Sequence, residues 1–293
     1  VILNKDNAFI GFIGTGVMGK SMAGHLLKAG YRLAVHNRTK SKAEELIHQG
    51  AEWKDSVADI ARECNVIITI IGYPKDVEEA YLGKNGIINN AKEGSYLVDM
   101  TTSTPSLAKK IYEEASKRKM HALDAPVSGG DVGAREARLV IMAGGDVEVF
   151  EAVKPLFELM GRNIVLEGRA GAGQYTKMCN QIAIAGTMIG VCEALAYAKK
   201  AGLDPSTVIK TIETGAAGSW SLSNYGPRIV AGNFSPGFYI KHFIKDLNIA
   251  LESAKDMGMW IPGTELVRSM YQKAAEEGEE NSGTQALYKL LDK

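Results

Sequence analysis

Gly14, Gly16 and Gly19 stand in the run Gly14-Thr15-Gly16-Val17-Met18-Gly19, between an apolar stretch (Ala8 to Ile13) and a helical pattern through Met22, Leu26 and Leu27. Strand, tight turn and helix in that order form a cradle for the pyrophosphate of a dinucleotide. The first glycine permits the turn, the second lets backbone approach phosphate, and the third lets the helix pack close to the strand. N–H groups and the positive dipole end at the helix N-terminus supply the attraction. Glycine spacing by itself equally describes an ordinary strand–helix turn. Its place at the first such junction of the chain points to the nucleotide.

Which dinucleotide turns on the end of the next apolar run, Arg32–His36, where Asn37-Arg38-Thr39 follows. NAD sites usually carry Asp or Glu here to accept hydrogen bonds from ribose hydroxyls. A carboxylate would repel a 2′-phosphate, whereas Arg38 can bind one through charge-assisted hydrogen bonds. Lys40 and Lys42 add positive charge nearby. NADP is therefore expected rather than NAD; the competing reading is a solvated basic loop.

Three other groups of residues could do chemistry. Lys177 begins a helical pattern just after Gly171-Ala172-Gly173, and Asn180 lies three residues on, on the same side of the helix. A lysine works as a general acid where burial and a helix N-terminus bring its pKa toward working pH; otherwise it is a surface lysine. The Asn180 amide could orient a substrate hydroxyl or carboxylate, or hold the ammonium. Ser128-Gly129-Gly130 offers a hydroxyl and unobstructed N–H groups for a small carboxylate, or is a plain glycine turn. Lys245-Asp246 is a charge pair that by type alone reads as solvated helix surface. The five histidines show no metal-ligand spacing, so no metal is expected, and Cys179 reads as a buried, inert thiol.

The elements that must position these residues alternate through the first half. Strands are expected at Ala8–Ile13, Arg32–His36, Val66–Ile71, Tyr96–Asp99, His121–Asp124, Leu139–Ala143 and Ile164–Leu166. Helices are expected at Met18–Ala29, Ser41–Gln49, Val57–Glu63, Asp76–Leu82, Pro105–Arg118 and Val147–Leu159. This is the pattern of an α/β Rossmann doubly wound parallel sheet, occupying residues 1–168. Residues 169–293 read as an all-α C-terminal domain, led by one long helix, Gln174 to Lys200, apolar on nearly all sides and so expected to be buried. Gly186 and Gly190 would admit a close helix neighbour. Trp220 could cap a pocket or join the core. Glu276–Gln285 reads as a polar surface loop before a short helix, Ala286–Leu291.

Composition sets bounds. Lys plus Arg and Asp plus Glu balance at 34 each, giving no electrostatic case for nucleic acid or a membrane surface. Ile182 to Ala198, the most apolar stretch, contains Glu193 and reads as too short for a comfortable membrane span. Cys64, Cys179 and Cys192 form no CxxC pair and suit a reducing compartment. With no signal pattern visible in Val1 to Asn7, a cytoplasmic protein is expected.

Across essentially its whole length the sequence resembles the β-hydroxyacid dehydrogenase family. Four blocks match in order: Gly11–Gly30; Asp124-Ala125-Pro126-Val127-Ser128-Gly129-Gly130 onward to Gly145; Gly171 through Lys177 to Asn180; and Phe238 to Asp246. The resemblance implies Lys177 as general acid in reduction and base in oxidation, with Asn180 and Asp246 completing the catalytic group. It implies Ser128, Gly129, Gly130 and Phe238 at the substrate. Lys245, Thr102, Ile71 and Gly72 are implied at the cofactor, beside the glycine loop and Asn37-Arg38-Thr39. The implied activity is interconversion of a small β-hydroxyacid and its semialdehyde or keto acid by a homodimer or homotetramer. Departures are Gln181 where a second Asn is common, Ala137-Arg138 in place of Gly-Thr, and Ile71-Gly72 in place of Leu-Pro. Alternatives are a non-catalytic NADP-binding module, which tends to lose the lysine, and an imine reductase, which usually has Asp or Tyr in its place. A 6-phosphogluconate dehydrogenase would need a much longer helical domain.

Overall fold

β-Branched runs flanked by amphipathic segments build a sheet covered by helices on both faces. In the computed structural model, which describes residues 1–292, nine strands form it. They are β1 (Phe9–Ile13), β2 (Arg32–His36), β3 (Glu52–Trp53), β4 (Val66–Thr69), β5 (Tyr96–Asp99), β6 (His121–Asp124), β7 (Val127–Ser128), β8 (Leu139–Gly144) and β9 (Gly161–Gly168). The order is β3-β2-β1-β4-β5-β6-β8-β7, with β9 beside β8. All pairs from β3 to β6 are parallel. The order reverses direction at β1, which lies between β2 and β4, so the crevice for a nucleotide opens at the carboxyl ends of β1 and β4.

Period-two burial explains the packing. Ile10, Phe12, Leu33, Val35, Val66 and Ile68 share one face with Met22 and Leu26 of the helix Val17–Lys28. Ile67 and Leu97 face the other way, onto Ile60, Tyr81 and Ile111. The sheet is not parallel throughout, as the sequence pattern suggested: β8 runs antiparallel to β6 and β7. β6 and β7 do not pair with each other: both flank β8, and the short helix Gly130–Arg135 carries the chain from β7 back along it. The two-residue strands β3 and β7 and the short helices Ile87–Asn90 and Gly130–Arg135 are too brief to leave a periodic signal. The expected helix Ser41–Gln49 is a 3₁₀ turn, Lys40–Ala43, followed by a short α-helix, Glu44–His48.

The chain divides into compact units Val1–Lys177 and Met178–Lys293. The first therefore runs past the expected boundary at 168, because the opening turn of the helix Ala172–Lys200 is hydrogen-bonded to loops of the sheet. In the second unit that helix and the helices Trp220–Val230, Ile240–Asp256 and Pro262–Ala274 enclose Met188, Cys192, Leu195, Phe243, Leu247 and Tyr271. The expected surface loop Glu276–Gln285 holds only in part: its first residues lie at the surface, but a π-helical turn, Ala275–Glu279, broken at Gly278 (φ +95°), follows the preceding helix, and a 3₁₀ helix spans Thr284–Leu290. The Gly283 N–H donates to the Phe234 carbonyl and the Ile240 N–H to that of Ser282, so the segment is pinned, and Thr284 and Gln285 are buried.

The helix Ala172–Lys200 is long and apolar enough, by length and composition, to cross a membrane, contrary to expectation. Fewer than half the residues of its most apolar window are buried, so it is not enclosed on all sides. Cys179, Ala183, Gly186, Thr187, Gly190 and Tyr197 lie on its exposed side. No atom comes within 4 Å of where a Cβ would stand on Gly186 or Gly190, so no helix of this chain exploits them.

Candidate cofactor and proton-transfer site

The glycine loop divides its labour. Gly14 adopts φ +99°, closed to most side chains, and an added Cβ would meet the Ile70 carbonyl oxygen at 2.1 Å. A Cβ on Gly19 would meet the Gly14 carbonyl oxygen at 1.9 Å. Gly16 has nothing within 4 Å of its Cβ position, so protein packing does not demand its smallness. It caps the helix Val17–Lys28 with no side-chain hydrogen bond and no acidic residue in the first turn, leaving the dipole end unneutralised. Thr15 is buried, and its Oγ1 has no hydrogen-bond partner. Val17, the first helical residue, is 63% exposed, while Met18 packs on the core. An open cradle, bare helix N–H groups and an orphaned hydroxyl fit a dinucleotide pyrophosphate.

The Asn37 side chain ties this loop to the end of β2. Its Oδ1 accepts the Thr15 N–H (3.1 Å), and its Nδ2 donates to the Thr39 carbonyl (2.9 Å). Asn37 thus sets the loop's shape. Arg38 extends into solvent, its side chain 83% exposed, with Nη1 3.4 Å from Asp76 Oδ1. A guanidinium so placed can reach an incoming phosphate.

A buried polar network holds the next two cofactor candidates. Asp99, ending β5, accepts from Thr69 Oγ1 (2.8 Å) and from the Thr101 N–H (3.1 Å). Thr101 Oγ1 in turn accepts the Ile71 N–H (3.0 Å), fixing the turn Ile71-Gly72 after β4. Gln174, wholly buried, donates to the Thr101 carbonyl (2.8 Å) and accepts from the Ser103 N–H (3.0 Å). Thr102 is clamped between those two bonds.

Asp124, ending β6 beside Asp99, does the same for the start of the long helix. Its carboxylate accepts the Gly171 N–H (2.6 Å) and the Gln174 N–H (2.9 Å). Burial pushes this carboxyl up to about 6, against the pull of those two N–H groups and with a further push from Asp99. Lys177 follows one turn later and is 6% exposed, which removes the surface-lysine reading. Gln174 and Asp124 therefore locate the backbone from which Lys177 projects. Ser128 closes β7 opposite Val140, and Gly129 (φ +130°) and Gly130 (φ +63°) turn the chain into the helix Gly130–Arg135.

The Asp124 carboxyl has its folded pKa raised above 3.8 to about 6, so its contribution to stability is complete below about pH 4 and is lost as pH rises through about 6. Asp124→Asn abolishes that dependence and leaves one N–H facing an amide NH₂, a loss of about 1–3 kcal/mol. The stability gap between wild type and this variant should narrow by about 1–1.5 kcal/mol from pH 5 to pH 7 in urea unfolding. A gap constant with pH would refute the burial assigned to this carboxyl.

The second unit holds the remaining candidates. Asp246 is 1% exposed and 2.9 Å from Lys245 Nζ, so Lys245, expected at the cofactor, is here engaged by its neighbour. Asp246 Oδ2 accepts from Gln181 Nε2 (2.6 Å), and Asn180 Nδ2 donates to Gln181 Oε1 (2.7 Å). Phe238 lies edge-on to Phe243 (6.0 Å) and over His242 (6.4 Å). Burial, then Lys245 and Lys241, hold His242 below its ordinary pKa. Trp220 is 64% exposed and lies edge-on to Tyr225, so it is no core residue. Cys179 is exposed, not buried, because it falls on the uncovered side of its helix. Among the described residues no group of His, Cys, Asp and Glu is disposed to hold a metal ion.

Sequence reasoning missed Asp99, Thr101, Asp124, Gln174 and Gln181. An aspartate directly after buried apolar strand residues, twice in succession in Tyr96–Asp99 and His121–Asp124, is a usable signal, since a buried carboxylate must find donors.

Two family models match successive parts of the chain. A family described as the NAD binding domain of 6-phosphogluconate dehydrogenase matches residues 9–168. A second, described as NAD-binding of NADP-dependent 3-hydroxyisobutyrate dehydrogenase, matches residues 171–291. An uncharacterized oxidoreductase, YkwC, of Bacillus subtilis is 64% identical over 96% of this chain and 98% of its own. The 2-hydroxy-3-oxopropionate reductase of Escherichia coli is 39% identical over 97% of each. The structure of Mycobacterium tuberculosis 3-hydroxyisobutyrate dehydrogenase with L-serine superposes with a TM-score of 0.90 at 27% identity, covering 98% of this chain and 99% of that one.

Proposed function

The chain belongs to the β-hydroxyacid dehydrogenase family of NAD(P)-dependent oxidoreductases, and from that premise we propose that it is an NADP(H)-dependent reductase of small carboxylates bearing an aldehyde or keto group. The observation that carries this reading is the burial of Lys177 one turn after Gln174, on a helix start tied by Asp124 to the carboxyl end of the sheet that bears the glycine loop. Gly14 to Gly19 would hold the pyrophosphate, with Ile71, Gly72 and Thr102 toward the nicotinamide and Arg38 at the 2′-phosphate. The bound nicotinamide supplies the hydride. Lys177 delivers the proton to the substrate oxygen in reduction and removes it in oxidation. Ser128, Gly129 and Gly130 receive the carboxylate; for Asn180, Asp246, Lys245 and Phe238 the roles are those that the family resemblance implies.

The same proposal makes the protein a cytoplasmic homodimer or homotetramer. Three free, separated cysteines suit a reducing compartment, and the exposed small residues of the long helix are a surface that a second copy would cover.

The test is a panel of 2-hydroxy-3-oxopropionate, glyoxylate, succinic semialdehyde and a cyclic imine, followed by NADPH and NADH consumption. Turnover of the carboxylates with NADPH supports the proposal. Turnover of the imine alone, or NADPH binding with no turnover, would replace it with an imine reductase or a non-catalytic module. Arg38→Ala should weaken NADPH about 10-fold or more, as expected for a charge-assisted phosphate contact, and leave NADH within a factor of about 2 by fluorescence titration. Equal losses for both cofactors would assign Arg38 no part in discrimination.

A further inference from the structure

We infer that Asp76 is a specificity-determining residue for the cofactor: its carboxylate competes for the guanidinium that would hold the 2′-phosphate, and so keeps the preference for NADP moderate. The inference rests on the cofactor reading proposed above and deepens it. β2 ends in Asn37-Arg38-Thr39, without the carboxylate that would turn a 2′-phosphate away. The fold brings one in from elsewhere. Asp76, 38 residues beyond Arg38 in the chain, places Oδ1 3.4 Å from Arg38 Nη1. It is carried there by the helix Pro74–Leu82, which follows β4, one of the two strands at whose ends the nucleotide crevice opens.

Asp76 is anchored and Arg38 is not. Asp76 Oδ2 accepts the Tyr73 N–H (3.2 Å), closing the first turn of its helix, and the positive end of that helix favours a carboxylate there. Gly72 leaves it room, since an added Cβ would stand 3.1 Å from the same oxygen. The departure at Gly72 therefore accommodates Asp76. The Arg38 side chain is 83% exposed, against 31% for Asp76, and the two meet at the long end of hydrogen-bond range. An exposed pair of this kind is too weak to hold an arginine in one place. Asp76 thus does little to prepare Arg38 for a phosphate. An incoming 2′-phosphate must instead take N–H groups from a guanidinium that a fixed carboxylate already faces, and two anions sharing one cation repel each other. A ribose 2′-hydroxyl is neutral and escapes that repulsion.

Fluorescence titration of the full chain with NADPH and with NADH, at about 0.01 M and about 1 M salt, tests this. Asp76→Asn removes the charge and keeps an acceptor for the Tyr73 N–H. It should tighten NADPH by about 3–10-fold at the lower salt concentration, as removal of one like charge close to the phosphate predicts, and leave NADH within a factor of about 2. At the higher concentration the NADPH gain should fall below about 2-fold, because the screening length shrinks from roughly 30 Å to roughly 3 Å. Asp76→Glu, which retains charge and capping oxygen, should hold NADPH within about 2-fold of wild type. Asp76→Ser, neutral and also able to cap, should repeat the gain and gives this reading even where Asp76→Asn fails to fold. Unchanged or weaker NADPH binding in the neutral variants would overturn the inference. So would a gain shared equally by NADH, a gain that ignores salt, or Asp76→Glu behaving like Asp76→Asn, since altered packing would then explain the effect. Failure of the proposed function looks different: the small carboxylates are not turned over, although the two cofactors bind as described.

Discussion

Lys177→Ala should lose about 10²–10⁴ in kcat, the span that positioned proton transfer contributes, while NADPH affinity stays near wild type. Hydride arriving at a carbonyl carbon leaves charge on oxygen, and the barrier depends on a proton being delivered as that charge forms. The backbone bearing Lys177 is held from behind by bonds that the substitution leaves intact. Asp124 takes the N–H groups of Gly171 and Gln174, and Gln174 in turn grips Thr101 and Ser103. Loss of turnover with cofactor binding retained therefore isolates the ammonium. Small alkylamines added to the variant should restore part of the rate, because the space vacated by the side chain admits a free amine as donor. Near-wild-type turnover in Lys177→Ala, with cofactor bound, would refute the mechanism.

Alanine at the three loop glycines should separate folding from binding. Gly14→Ala and Gly19→Ala each drive a methyl group into a backbone carbonyl, at 2.1 and 1.9 Å respectively, where no side chain can move aside. Each should cost about 3 kcal/mol or more, at or beyond the upper end of the overpacking range, and lower Tm by about 6–12 °C in a unit of this size. Gly16→Ala meets nothing within 4 Å and should melt within about 2 °C of wild type, as an unobstructed surface substitution does. Its loss should appear in NADPH binding, which a methyl group over the bare helix N-terminus obstructs. Calorimetry without and with NADPH distinguishes the two behaviours. Gly16→Ala that binds NADPH normally would remove the pyrophosphate from this loop.

Much of this was legible in the chain because the relevant signals are local. Strands such as Val66–Thr69 and Tyr96–Asp99 are short, mostly apolar runs bounded by turns, and the glycine loop declares its own geometry. The antiparallel course of β8 leaves no mark in the sequence, since apolar character and alternation are the same for a strand run in either direction. Asp124 and Gln174 are 50 residues apart in sequence, and Gln181 and Asp246 are 65 apart; no periodicity relates such partners. Type alone made Gln181 a departure from a familiar Asn, and only its two neighbours show what the longer amide holds. Composition also could not say which side of the long helix is covered, which is why Cys179 was misjudged and the membrane-length apolar run went unrecognised.

That run has a consequence for the protein's synthesis. The helix ending at Lys200 finds its packing partners in Phe243, Leu247 and Tyr271, which leave the ribosome up to 71 residues later by their sequence positions. At typical translation rates of roughly 5–20 residues per second, a segment apolar enough for a bilayer waits for roughly 4–14 s. The preceding unit can fold in that interval, its sheet already complete. During each round of synthesis, the unfinished chain therefore carries exposed apolar surface that the finished fold partly withdraws.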